Sequence, residues 1–319
     1  MECRILDEEP QQPPEGQIWA VAGGKGGTGK TFLASCMGTV LARKKNKVTL
    51  VDLDLGGANL HSFLGLLGPR QSLTAFFESN ARLEDLDAPT GIENLGLISG
   101  NVESVTSGSI KFSQKLKLLR QLAKLNSRYL IVDLGAGCHP NTLDMFNSAN
   151  RMIVVLVPEI TSVENVYIFI KNALFRRLKS AIRGPESKNV VRNAWHNRGE
   201  LKLNNIKDLV DHLRERDPAV GAALDKELED FRVHLVVNMA RDQKDLGLGL
   251  SVKSILLKYL GLNARFSGPV SYDDAVWRSL REGRPFMLHH FSSPCIKQIE
   301  EVTSNVLEDR EVHLTGSQL

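Results

Sequence analysis

The chain has 319 residues, 42% of them hydrophobic and 24% charged, the composition of a water-soluble globular protein large enough to bury a substantial core. A net charge of only +3 gives no global electrostatic case for nucleic acid binding. The four cysteines (Cys3, Cys36, Cys138, Cys295) have neither metal nor disulfide spacing, which fits a reducing cytosol and speaks against structural zinc or a cysteine-held cluster.

Residues 1–16 read as an acidic, proline-rich, mobile leader without the apolar run of a signal peptide, and no later stretch approaches membrane-spanning length. Gln17–Ala22 is a short apolar run stopping at glycines, hence a buried strand. Thr31–Lys45 has helical spacing through Leu33, Met37, Val40 and Leu41, and Val48–Leu53 is a second buried strand. Leu60–Leu67 reads as a short helix closed by Gly68-Pro69, and Leu95–Ser99 as a third strand. Ile110–Leu125 is an amphipathic helix, and Tyr129–Val132 a strand ending at Asp133. A helix at Thr142–Ala149, a strand at Met152–Val157 and a helix at Val163–Lys179 follow. After a polar interval, Val233–Val237 is a strand, Gly247–Leu260 a helix and Ala264–Val270 the last strand. Helices at Tyr272–Glu282 and Cys295–Leu307 finish the pattern.

Uniformly apolar strands alternating with helices predict an α/β fold: a mostly parallel, twisted sheet with helices on both faces. One domain is expected over 17–310, with a C-terminal tail at 311–319. Residues 180–231 interrupt the alternation as a helical insertion. It begins basic (Lys179, Arg183, Lys188, Arg192, Arg198), then turns helical around Ile206–Leu213 and Val220–Phe231. A solvated face and a partner-binding or DNA-binding elaboration both fit such a charge run.

The stretch Gly24-Lys25-Gly26-Gly27-Thr28-Gly29-Lys30-Thr31 fits the phosphate-loop pattern G-x-x-x-x-G-K-[ST], set between a strand and a helix as that motif requires. Its glycines let backbone N–H groups converge on one anion, and the following helix adds its positive N-terminal end. Lys30 supplies a point charge for the outer phosphates, and the Thr31 hydroxyl is placed for Mg²⁺. Gly24, Gly26 and Gly29 also satisfy the dinucleotide pattern G-x-G-x-x-G. A dinucleotide diester has no need of a Lys-Thr pair, whereas a triphosphate with about four negative charges does, so the pair favours ATP-type ligands. Lys25 adds a second cation where most such loops have none.

Other polar residues fall at carboxyl ends of predicted strands, where ligands bind in open parallel sheets. Asp52 and Asp54 project to one side after the second strand; such carboxylates orient an attacking water or reach Mg²⁺ through its water shell, or else serve as turn and capping residues. Asp133 ends an apolar run as a Walker B acid does, and Gly135-Ala136-Gly137 beyond it suits a segment that responds to the γ-phosphate. Asn238, after VHLVV, carries a donor and an acceptor for a purine edge, or forms a turn. Cys138, His139 and the pair His289-His290 have no ligand spacing.

These residues together resemble the MinD/ParA group of P-loop ATPases. Lys25–Thr31 (KGGTGKT) is similar to its deviant Walker A motif with the extra lysine; Asp52–Gly65 resembles its first switch and Val132–Gly137 its second. Val236–Arg241 (VVNMAR) matches its base-recognition strand, and Gly268–Phe286 the loop and helix that close over the base. The stretch DLDLGGANL and the C-terminal third point to the FlhG/FleN branch, regulators of flagellar placement and number.

The resemblance implies Mg²⁺-dependent ATP hydrolysis by an ATP-sandwich homodimer that positions a cellular structure. Gly26, Gly27, Thr28, Gly29, Lys30, Thr31 and Phe32 would hold the nucleotide, and Asn238 would read adenine. Thr31, Asp52 and Asp133 would hold Mg²⁺, and Asp54 would position the water. Lys25 would reach the phosphates held by the other subunit. The expected place is the cytoplasm, with peripheral membrane contact open. The end, Gln298–Leu319, is rich in acids (Glu300, Glu301, Glu308, Asp309, Glu311) and lacks the cationic stripe of the membrane tails in this group. A protein partner would dock on surface helices or on the 180–231 insertion. The alternative is a ParA-like, DNA-associated partition ATPase using the basic insertion and Arg176, Arg177 and Lys179.

Overall fold

The computed structural model describes residues 16–54, 57–68, 71–79, 81–100, 112–182 and 184–312. The expected leader (apart from Gly16), the expected helix start at Ile110, the Pro69 stop and the last seven residues lie outside them.

Eight strands form one sheet: β1 (Gln17–Ala22), β2 (Val48–Leu53), β3 (Ala88–Pro89), β4 (Leu95–Ile98), β5 (Tyr129–Leu134), β6 (Arg151–Leu156), β7 (Val233–Ala240) and β8 (Arg265–Ser271). Their order is β3-β4-β2-β5-β1-β6-β7-β8, and every pairing is parallel except β3 with β4. The central strand β1 sends alternate side chains to opposite layers, as period-two geometry demands. Ile18, Ala20 and Ala22 enter one core, covered by α4 (Phe112–Leu122), α5 (Pro140–Asn147), α6 (Ile160–Ala181) and α10 (Gln243–Leu260). Trp19 and Val21 enter the other, covered by α1 (Lys30–Arg43) and α13 (Pro294–Leu307). The two-sided burial explains why the strands read as continuous apolar runs.

The expected parallel α/β architecture is present, with local differences. The helix expected over Leu60–Leu67 is one turn, α2 (Leu60–Phe63), because Gly65 takes φ +69° and ends it. Two helices went unpredicted nearby, α3 (Leu73–Glu78), capped by the Ser72 side chain, and the single turn α12 (Phe286–His289). β7 does not stop before Asn238. It runs three residues past the expected Val237, to Ala240, through an irregularity at Asn238–Ala240, with Met239 at φ +58°.

The insertion holds three helices rather than two: α7 (Pro185–His196), α8 (Ile206–Arg216) and α9 (Pro218–Asp230). Pro185 sits in the first turn of α7, where its missing N–H costs nothing. Ile206, Leu209, Val210 and Leu213 of α8 and Val220 and Leu224 of α9 are buried in the same core as α6. The insertion is therefore packed onto the domain. The remaining helix, α11 (Asp274–Glu282), follows β8.

At the opposite end of the sheet from the phosphate loop, Asp309 ties the chain's end to the strand starts. It pairs with Arg232 at 2.9 Å and Arg265 at 3.1 Å, and its Oδ1 lies 3.2 Å from Nε2 of the buried His234, whose Nδ1 meets Ser267 Oγ at 2.8 Å. His234 and then Arg265 hold the Asp309 carboxyl down at about 2. A depressed acid pKa stabilises the fold above the unfolded value near 3.9, and that contribution is lost as pH falls toward the folded value. Asp309→Asn should thus cost about 2 kcal/mol at neutral pH, with the difference from wild type vanishing near pH 2. Urea melts at pH 7 and pH 3 check this; a cost that does not shrink on acidification would refute the anchor.

Candidate nucleotide site

The phosphate loop leaves the carboxyl end of β1 and turns directly into α1. Gly29 is the N-cap of α1 at φ +85°, and no side chain caps the first-turn N–H groups. Those donors therefore face the loop's interior, a ready anion site. Gly29 is obligatory on two counts: its left-handed backbone, and a Cβ there would lie 2.2 Å from Asn238 Nδ2. Gly24 allows the loop to approach α6, since a Cβ would strike the Asn165 carbonyl carbon at 2.2 Å. At its start the loop is tied to the turn after β5, where Gly137 N–H donates to the Gly23 carbonyl at 3.3 Å.

Lys30 is buried, with Nζ donating to the Lys25 carbonyl at 3.4 Å. Burial lowers its pKa, opposed by the nearby Asp133 and Asp54 carboxylates. β2 and β5 pair in register so that Asp52 and Asp133 are direct neighbours. Both are buried, but their environments differ. Asp52 Oδ1 accepts from the Asp54 N–H at 3.1 Å and Oδ2 from the Leu60 N–H at 3.0 Å, so it shapes the turn that carries Asp54. Burial pushes its carboxyl up to about 6 despite these bonds.

Asp133 lies inside β5, which runs one residue beyond the expected end, to Leu134. Among the described residues neither of its carboxylate oxygens meets a partner in hydrogen-bond geometry, although the Thr31 hydroxyl is close enough to act on it. Burial raises its pKa; the Thr31 hydroxyl and the Lys30 charge work in the other direction. An unpaired buried carboxylate is costly and implies a missing partner. A hydrated divalent cation is one group that would supply such donors and charge here, and Thr31 and Asp133 are the residues that would hold it. The buried Thr28 Oγ1 is likewise without a partner. Asp54 is half-buried, and a Cβ on Gly135 would sit 3.1 Å from its Oδ1, so its carboxylate rests against the turn after β5.

Two expected contacts take a specific form. The Asn238 amide nitrogen donates to the Thr28 carbonyl at 2.9 Å, bracing the phosphate loop from β7. The Phe32 side chain is in the core against the Phe286 and Phe63 rings, at 5.4 and 6.2 Å, which leaves its backbone N–H facing the loop's side. Lys25, half-buried on the loop, pairs with Glu159 and lies 3.2 Å from Thr161 Oγ1. Both partners stand where β6 passes into α6, and the sequence reading did not single them out. Their one signal was position, at the carboxyl end of a central strand. Among the described residues no group of three or more His, Cys, Asp or Glu forms a metal cluster, and Cys36, Cys138 and Cys295 are free.

Residues 19–286 match the CobQ/CobB/MinD/ParA nucleotide binding domain, and the chain belongs to that family. It is 32% identical over 167 residues to an uncharacterised ATP-binding protein of Methanocaldococcus jannaschii, covering 52% of this chain and 61% of that one. The antiactivator FleN of Pseudomonas aeruginosa is 31% identical over 157 residues, 49% of this chain and 55% of FleN. The flagellum site-determining protein YlxH of Helicobacter pylori is 29% identical over 157 residues, 48% of this chain and 52% of YlxH. The matched stretch thus spans little more than half of each of these relatives. The septum site-determining protein MinD of Pyrococcus horikoshii, solved with Mg-ADP, superposes with a TM-score of 0.60 at 18% identity, over 95% of this chain and 98% of that one. The eight-stranded sheet is therefore the MinD/ParA-type P-loop fold.

Proposed function

We propose that this protein binds ATP with Mg²⁺, pairs face to face with a second copy in the ATP state, and hydrolyses ATP slowly as a switch for placing a cellular structure. The observation that carries the reading is the buried Asp133 carboxylate without a partner, beside Thr31 and Lys30 and beneath an uncapped helix start. Thr31 and Asp133 would hold Mg²⁺ beside the phosphates, and the metal would supply charge neutralisation for phosphoryl transfer. First-turn N–H groups of Lys30, Thr31 and Phe32 bind phosphate oxygens, and Lys30 Nζ adds the charge. Asp54, held by the turn that Asp52 shapes, orients the water for in-line attack. The Asn238 amide nitrogen is committed to Thr28, so its carbonyl oxygen is the half available to an adenine amino group.

Lys25 is the group suited to act across a dimer: it lies on the exposed loop, and two facing triphosphates need shared counter-charge. In the single chain Glu159 neutralises it. Lys25→Ala should leave nucleotide affinity within about threefold while the chain stays monomeric with a non-hydrolysable ATP analogue. Light scattering reads the outcome, and a normal dimer fraction would refute the trans role. Glu159→Gln frees Lys25 and should lower the protein concentration for half-dimerisation about threefold to tenfold, a gain of roughly 1 kcal/mol. An unchanged or raised threshold would exclude competition by Glu159.

The relatives support the positioning role, since YlxH is named for determining a flagellum site and MinD for a septum site. No helix among the described residues is long and apolar enough to cross a membrane. Any surface attachment is peripheral in this reading.

A further inference from the structure

Where the insertion packs on the domain, the helices do not close completely. A cavity of about 760 Å³ lies between α4, α6 and the insertion helices α7, α8 and α9. Its walls are apolar, with Leu119, Phe175, Leu209 and Leu213 among them. Among the described residues its charged lining is mostly cationic: Lys115, Arg176, Lys179 and Arg192 against one carboxylate, Asp144. That carboxylate is already spent, since both Lys115 and Arg176 bond it. Lys179 and Arg192 are exposed on α6 and α7; among the described residues neither pairs with a carboxylate, and Arg192 bonds only the Asn189 amide oxygen.

We propose that this cavity binds one anionic amphiphile, an apolar chain ending in a carboxylate or phosphate. A largely apolar cavity of this size, open to solvent, exceeds packing defects and lies in the range of small-molecule sites, roughly 300–1,000 Å³. The excess cations at the rim select a negative head; the leucines and Phe175 take the chain. A docked partner helix fits worse. One helical turn with its side chains fills about 500 Å³, so the cavity holds fewer than two turns, too short for a set of i, i+3, i+4 and i+7 anchors. Among the described residues the lining comes from helices and from Ile182 just past the end of α6, and no strand residue lines it, which leaves no strand edge for an extended peptide.

The site reaches the nucleotide end through two elements. Asp144 stands on α5, which begins just past the Gly135–Gly137 turn, and α6 carries Arg176 and Lys179 near one end and Thr161, a contact of Lys25, in its first turn.

The test uses the full-length protein and a fluorescent polyene fatty acid below its micelle concentration, with a chain-matched alcohol, a chain-matched amine and an acidic amphipathic peptide as competitors. One probe per chain should bind, and the alcohol and amine should compete at least tenfold more weakly than the acid. Lys179→Glu with Arg192→Glu, both on exposed positions, should weaken the probe at least tenfold while ATP binding stays intact. Leu209→Trp, which fills the cavity, should do the same. Flotation with anionic phospholipid vesicles separates the sources: flotation lost in these variants assigns a membrane lipid, and probe binding without flotation assigns a free acid. The proposal is overturned by equal binding of acid and amine, by full affinity in the charge-reversed protein, by the peptide alone competing, or by no binding in either arm.

Discussion

Lys30→Ala is expected to weaken binding of Mg·ATP by about a hundredfold or more. Charge-assisted hydrogen bonds are each worth about 1.5–3 kcal/mol, and each 1.4 kcal/mol is a factor of ten, so two lost contacts suffice. The loss should be smaller for ADP, which presents less charge to the same ammonium. The substitution also removes the cation that balances Asp133 and Asp54, so it is best read with a thermal melt beside it. Calorimetric titration gives the number. An ATP affinity within threefold of wild type, in a folded variant, would show that the loop does not grip phosphate through this side chain.

Asp54→Ala is expected to separate binding from turnover. Among the described residues no hydrogen bond ties the Asp54 carboxylate to the phosphate loop, and it is Asp52 that accepts from the Asp54 and Leu60 N–H groups. ATP affinity should stay within about threefold, whereas turnover should fall by about 10²–10⁴, the range for losing a positioned acid–base group. The dimer formed with ATP should then persist instead of decaying with hydrolysis. Phosphate release and light scattering on one sample read both effects. Turnover above a tenth of wild type would remove Asp54 from the attacking-water role.

Much of the fold was legible because the information was local. The apolar runs of β1, β2, β5 and β6 are bounded by glycine, proline or a charge, and their uniformity reports burial on both faces. The phosphate loop was legible because its chemistry is contiguous. What escaped depends on contacts between distant segments. Glu159 and Thr161 matter only because α6 packs against the loop, a closeness that the absent Gly24 side chain permits. The bracing bond from Asn238 to Thr28 spans 210 positions, and the irregular end of β7 that aims it leaves no local trace. β3 has two residues, one of them Pro89, too few to show a period. α7 was hidden by its charges: Val190, Val191 and Ala194 carry its apolar stripe within a basic, polar run. The same misreading concealed the cavity, whose walls come from an insertion that looked solvated.

The most direct measurement is calorimetric titration of the purified chain with ATP, in Mg²⁺ and again in chelator. One nucleotide per chain should bind in Mg²⁺, and chelation should weaken it at least tenfold, because Asp133 then stays buried without a partner. Binding that ignores Mg²⁺, or no binding of ATP at millimolar concentration, would contradict a metal–triphosphate site built on Lys30, Thr31 and Asp133.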